Sequence, residues 1–442
     1  MNLVNEGSPV TAVPELDLYS KAPVQVSIEK SYIEEVRPLA PLNTGGHVEF
    51  IINNSLNEYV RLKDTTLYGR FHVELHKTTG NISDADWKKV HIVNNFMHSL
   101  WSQIDLSIGD AQTSLSLQTY PYKAYIETIL GSTQHSRRTY LAGAIYNEDS
   151  PTNTSNDDRQ RNIYVSLNSA NSAMGKSCEF EGKLNLDLFQ QHRSMIGGTK
   201  IKLKLIPHHP EFYFMINDDK LVPKVVFDEL YLNVTKFKVA DEVLLAQLKA
   251  INVAPVKYIL DRVEVRSVTI DSGATSRNIE NVVNGRLPRR VYIGFVGNDA
   301  YTGSFTTNPY NFENCSINYI GCFVNGEPIP HRAYTPDFTN DKYMREFINL
   351  YKVSEQFDNE SRMLITKDKF KLGYTLFAFN LSQDFSQGYN SAGYVNLPRD
   401  GILRFEIKFA TATTKIYNAI IYCEFDSQIS IPEERNAIMD YR

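Results

Sequence analysis

Cysteine is scarce in this chain: 442 residues hold four, Cys178, Cys315, Cys322 and Cys423, with no Cys-x-x-Cys spacing. That excludes a zinc ribbon and a disulfide framework, and makes reduced thiols in an intracellular compartment the default. Tryptophan is scarcer still, at two, and no run approaches the roughly 18 apolar residues of a membrane span. The opening MNLVNEGSPVTAVPELD lacks the basic-then-apolar order of a secretory leader, so production in the cytosol is expected. Sequons such as Asn81-Ile82-Ser83 and Asn233-Val234-Thr235 are then chance matches. A cluster of Lys and Arg is missing from both termini: the net charge is -5, and the first forty residues carry six acidic and three basic side chains. A mobile arm that held nucleic acid would need the opposite balance, because its affinity comes from counterion release. Tight direct nucleic-acid binding is not expected.

Signatures of catalysis are missing too. There is no G-x-S-x-G, no H-E-x-x-H, no G-x-x-x-x-G-K-[ST], and no G-x-G-x-x-G after a strand. His72, Glu74 and His76 share one strand face, but alternate residues on a strand lie about 6.6 to 6.8 Å apart, so only neighbours in the trio could share an ion. His208-His209, between Pro207 and Pro210, reads as a strand exit. Glu433, Glu434 and Asp440 lie in a polar tail where nothing would raise a pKa. Lys200, Lys202 and Lys204 form a row that reads as a solvated or edge-protecting surface before it reads as a phosphate strip. No catalytic, cofactor-binding or metal residue is assigned, and no enzyme activity or cofactor is expected.

Strand material is abundant. Tyr and Phe number 26 and 23 in a chain that is 42% hydrophobic, a balance suited to sheets with one buried face. Phe71, Val73 and Leu75 alternate with His72, Glu74 and His76. The same alternation appears at Leu184, Leu186 and Leu188, at Ile201, Leu203 and Leu205, and at Leu403, Phe405, Ile407 and Phe409. The valine pattern from Val263 to Ile270 changes phase near Ser267, which predicts a bulge or a strand that switches faces. Helical periodicity is confined to Pro121 to Leu130, Asp241 to Ile251 with Asp241 as N-cap, and Asp341 to Tyr351. Residues 147 to 162 contain no apolar side chain and read as an exposed loop. The order of strands, short helix, loop, strands and closing helix occurs twice, so two large β domains are expected, dividing between Asp241 and Val256.

The stretch from Arg290 to Pro330 is the richest. Val291 to Val296 is a continuous apolar run, as expected of a strand buried on both faces. A polar loop follows with Tyr301, Phe305, Tyr310 and Phe312 spaced through it as anchors to a sheet. Ile317 to Val324 is a second strand, and Asn325-Gly326 is a type I′ turn signal.

The residues Asn308, Pro309, Asn311, Phe312, Asn325, Gly326 and Pro330 make this stretch resemble the major capsid proteins of Polinton (Maverick) elements and adintoviruses. The resemblance runs from about Leu18 to the C-terminus, through HIVNNFMHSLWSQIDLSIGD at His91 to Asp110, TYPYKAYIETILG at Thr119 to Gly131, GYTLFAFNLS at Gly373 to Ser382 and RNAIMDY at Arg435 to Tyr441. Residues 141 to 175 match nothing in that family. It implies an all-β double jelly roll, two eight-stranded sandwiches side by side with a few short helices: an N-terminal segment 1–17, a first jelly roll 18–250, a second 251–430 and a C-terminal tail 431–442. It implies a homotrimer forming a pseudo-hexameric capsomer of an icosahedral double-stranded DNA virus shell, with neighbouring capsomers, penton and minor capsid proteins as partners and the virion as location. Tyr-rich loops on sandwiches also bind sugars, so a carbohydrate-binding jelly roll stays open beside it, as does a domesticated host protein of capsid descent.

Overall fold

The computed structural model describes residues 14–146 and 174–440, apart from positions 17, 20, 44, 45, 79, 115, 116, 358–362, 387 and 389–392. The loop expected at 147 to 162 lies outside the described residues. Among the described residues, eight strands build the two main sheets of the first half, beside a short ladder of Val90–Ile92 with Phe214–Ile216: β1 Ile28–Val36, β2 Val48–Ile52, β3 Glu58–Lys77, β4 Trp101–Ile108, β5 Ala111–Gln112, β6 Cys178–Lys183, β7 Ile201–Pro207 and β8 Leu221–Val239. They pair as two antiparallel sheets ordered β1-β8-β3-β6 and β2-β7-β4-β5. Eight more build the second: β9 Val256–Ile270, β10 Ser276–Arg286, β11 Arg290–Gly297, β12 Ile317–Val324, β13 Glu327–Tyr334, β14 Leu376–Asn380, β15 Asp400–Phe409 and β16 Tyr417–Ile431. Their sheets run β9-β16-β11-β14 and β10-β15-β12-β13, the same permutation repeated one half later. The duplication legible in element order is thus a duplication of topology.

Local chemistry explains most elements. Phe71, Val73 and Leu75 on β3, Ile201, Leu203 and Leu205 on β7, and Leu403, Phe405 and Ile407 on β15 are all buried, while the residues between them face outward. Val291 to Val296 is buried on both faces of β11, which lies inside its sheet between β14 and β16 and packs in the second core. Asn325 and Gly326 both have positive φ, 52° and 90°, and join β12 to β13 through the expected turn.

Five expectations need correction. Leu184, Leu186 and Leu188 do not form a strand; they lead into a short 3₁₀ turn, Asp187–Gln190, where their side chains plug the sandwich beyond the last ladder pair of β6. Of the two alternatives at Ser267, the bulge is absent, since β9 pairs with β16 without a register break from Val256 to Ile270, and it is the packed face that switches: Val265 and Ile270, on opposite faces of the strand, both join the second core. The helix Asp241–Ile251 is N-capped by Ala240, whose extended backbone donates to Ser27 O at 3.0 Å, so Asp241 is already helical. The third helix begins at Met344, not Asp341, because Asp341 is left-handed with φ 55° and holds Lys371 at 2.6 Å. The lysine row lies on β7, an interior strand between β2 and β4, so it protects no edge.

The halves interlock. Tyr258 and Leu260 of β9, Ile429 and Ile431 of β16, and Ala437 beyond it pack into the first core. In return Tyr122, Tyr125, Ile126 and Ile129, from the helix Tyr120–Gly131 of the first half, pack into the second. The two sandwiches therefore behave as one body rather than as beads on a linker.

Candidate assembly surfaces

The seam between the sandwiches holds a cluster of largely buried polar groups. The helix Tyr120–Gly131 begins with Pro121 in its first turn, where a missing N–H costs nothing. It presents Lys123 and Glu127, one turn apart, to the seam. Lys123 pairs with Asp187 and lies 3.9 Å from Glu127. Glu127 accepts hydrogen bonds from Asn185 at 2.9 Å, Gln190 at 3.3 Å and the Tyr422 hydroxyl of β16 at 3.4 Å. One cation cannot balance two carboxylates out of water. Burial therefore raises the Glu127 carboxyl to about 7, helped by the charges of Asp187 and Glu424 and opposed by Lys123.

Beside this cluster, side chains of the first half reach the outer edge of β9 at Lys257, Ile259, Val263 and Val265. Arg193 donates to Lys257 O at 2.7 Å, Gln191 to Ile259 O, and Thr119 to Val265 O at 3.1 Å, while Val263 N–H donates to Asp187 at 3.2 Å. Three of these partners, Asp187, Gln191 and Arg193, belong to the connection between β6 and β7. An edge strand left bare would be a template for another chain, and here the neighbouring sandwich closes it.

The Asn-Pro-Tyr-Asn-Phe loop locks the other side. Tyr310 is fully buried, stacks on Tyr125 at 4.0 Å between ring centroids, and shares a 2.6 Å hydrogen bond with Ser99. Tyr301 stacks on Tyr122 at 5.7 Å. Of the rings expected to anchor this loop to a sheet, Tyr301 and Tyr310 stack on the helix of the opposite sandwich instead, whereas Phe312 lies over Gly294 of β11 as expected. Sequence reasoning could not find that contact, because nothing local marks Tyr125 as its partner.

The other singled-out residues stay apart. His72 lies 2.9 Å from Asp228 and 4.0 Å from Glu74, and among the described residues no group of three or more His, Cys, Asp or Glu is arranged to hold a metal ion. His208 stacks on Phe212 at 3.9 Å, and burial lowers its pKa to about 4. Lys202 is 3.2 Å from Glu49, and Lys204 stands opposite Glu49 and Asp105 in the ladders. Glu433 and Glu434 are exposed, whereas Asp440 pairs with Arg286 at 3.0 Å and Ile438–Met439 extends the β16 edge. Among the described residues no helix is long and apolar enough to cross a membrane.

Two sandwiches of identical strand order, each built of facing four-strand paths, define a double jelly roll. Known proteins agree. The chain is similar over its full length to a chain of the Sputnik virophage solved by cryo-electron microscopy, with TM-score 0.65, 10% identity and 94% of that chain covered. It is similar to the mavirus major capsid protein, with TM-score 0.55, 13% identity, and 99% and 97% of the two chains covered. The Faustovirus major capsid protein aligns with TM-score 0.56 at 8% identity, covering 93% of this chain and 92% of that one. In sequence it is 27% identical over 404 residues to an uncharacterized protein of Caenorhabditis elegans, covering 89% of this chain and 93% of that one. No family model matches the chain.

Proposed function

We propose that this chain is a major capsid protein whose three copies form a homotrimeric, pseudo-hexameric capsomer of an icosahedral double-stranded DNA virus or virus-like element. The observation that carries the reading is the end-to-end agreement of its double jelly roll with viral major capsid proteins. The rigid seam supports it: a shell tile must transmit load without hinging, and buried aromatic stacking across the halves supplies that stiffness. A jelly roll at 18–250 and another at 251–430 would be its units, with 1–17 and 431–442 as segments that tie tiles or sandwiches together. Partners would be neighbouring capsomers, penton and minor capsid proteins, and the location the virion after synthesis in host cytoplasm. The protein would act by assembly and not by catalysis. The Polinton, Maverick and adintovirus lineage is favoured by the shared motifs, and an element carried in an animal genome by the nematode relative.

The test is molar mass in solution. Light scattering on the purified protein should give three times 50.4 kDa, about 150 kDa. A monomer that binds glycans would favour the carbohydrate-binding alternative and sink this one.

A further inference from the structure

Lys123, Asp187 and Glu127 meet in the seam with a geometry that an ion pair alone does not call for. The Lys123 side chain donates to Asp187 Oδ1, while the other oxygen of that carboxylate, Oδ2, accepts from the Val263 N–H of β9 at 3.2 Å. Glu127 stands one helical turn from Lys123, 3.9 Å from its Nζ. The three side chains are 11 to 18% exposed. Leu186, Leu188, Leu260 and Val263 surround the pair at a small cavity of about 60 Å³. Burial raises Glu127 to about 7, so this carboxyl keeps a proton near neutrality. An amine, a carboxylate and a proton-bearing acid are thus held together away from bulk water.

Burial opposes the charge on Lys123, but in the resting pair Asp187 and Glu127 outweigh it and hold the ammonium. Passage of one proton from Nζ to Oδ1, along the hydrogen bond that already joins them, discharges both groups at once and leaves an amine against a carboxylic acid. The nitrogen then attacks Cγ of Asp187. Negative charge develops on Oδ2, where the Val263 N–H already points, as a backbone donor does in an oxyanion hole. The Nζ–Cγ bond forms and the Cγ–Oδ1 bond breaks, while Glu127 takes one proton from Nζ and returns its own to Oδ1. One water leaves, for which the adjoining cavity has room, and no oxidant or other reactant is consumed. Between free side chains in water this condensation is unfavourable, but oriented partners reach effective molarities of about 10⁵ to 10⁸ M.

We propose that Lys123 and Asp187 condense to an isopeptide bond, with Glu127 as the proton relay between them. The bond ties the helix Tyr120–Gly131 to the connection between β6 and β7, across 64 positions of sequence. These two elements are the ones that grip the second sandwich. The helix sends Tyr122 and Tyr125 into its core, and the connection meets the outer edge of β9 through Asp187, Gln191 and Arg193. A covalent tie between them stiffens the seam without a disulfide, in a chain whose four cysteines are free. Until the bond forms, the groups remain an ion pair beside a protonated carboxyl. The inference goes beyond the trimer reading and does not depend on it, since the bond lies within one chain.

Intact-mass spectrometry of the full chain, sampled from purification onward at neutral pH, tests it. The wild type should show a population lighter than its sequence mass by one water and growing with time. Digestion of that population should release one branched peptide joining the segments around Lys123 and Asp187. Lys123→Arg keeps a cation beside Asp187 but carries a guanidinium that does not condense, and should hold the full sequence mass. Glu127→Gln, with no acidic proton to relay, should condense about 100-fold more slowly. The branched peptide is read on the wild type, so the test survives a variant that fails to fold. A wild-type mass that stays at the sequence value overturns the proposal, as does a lost water that persists in Lys123→Arg or maps to other residues. A Glu127→Gln chain that condenses at the wild-type rate overturns the relay.

Discussion

Replacing Glu127 by Gln tests whether the seam holds a protonated carboxyl near neutral pH. The side chain is buried between Lys123, Asp187 and Tyr422, and its pKa stands at about 7 against an ordinary 4.5. Each pKa unit corresponds to about 1.4 kcal/mol, so keeping this proton penalises the fold by about 3 kcal/mol once the unfolded chain would have released it. The sign follows from the raised value. Below pH 4.5 both states are protonated and nothing is lost; between 4.5 and about 7 the unfolded carboxylate gains while the folded one does not; above 7 the loss is complete. Gln keeps the hydrogen-bonding shape and cannot ionise. Urea unfolding at fixed protein concentration should therefore show the two proteins nearly equal at pH 4 and the Gln variant more stable by about 3 kcal/mol at pH 8. A difference that does not change with pH, or a Gln variant weaker at pH 8 because Lys123 has lost a needed partner, would refute this account of the seam.

Tyr310→Ala removes a fully buried ring and its hydrogen bond to Ser99, and should cost about 3 to 5 kcal/mol in thermal or chemical unfolding; a loss under about 1 kcal/mol would mean the loop does not lock the halves. Gly326→Ala forces a side chain onto a φ of 90° and should cost about 1 to 2 kcal/mol, without changing the oligomer measured by light scattering. Duplex DNA titrated into the purified protein at low and physiological salt should bind negligibly, since Lys202 and Lys204 lie beside Glu49 and Asp105. Tight, salt-steep binding lost on replacing Lys200, Lys202 and Lys204 would contradict that expectation.

Much of the architecture is legible because it depends on period-2 burial and turn chemistry, which are local. Phe71, Leu203 and Phe405 fall on core faces for that reason, and Asn325-Gly326 turns the chain where expected. The misreadings have a common cause. Leu184 to Leu188 carries strand periodicity but has no partner strand left to pair with, and Asp341 looks like a helix start until Lys371 holds it in a left-handed turn. The seam was not legible at all. Glu127 is raised first by burial in a seam that the Tyr422 hydroxyl and Glu424, nearly three hundred positions away, help to close, and Tyr310 is buried against Ser99 and Tyr125. No local pattern encodes such pairings, and without them the chain reads as two sandwiches rather than one tile.

The central claim, that the chain is a shell tile, is tested most directly by cryo-electron microscopy of the purified protein. The account predicts closed rings of three chains showing six sandwiches of matching orientation around a pseudo-sixfold axis, alone or tiled into shells. Particles containing a single two-sandwich body at every concentration would contradict it.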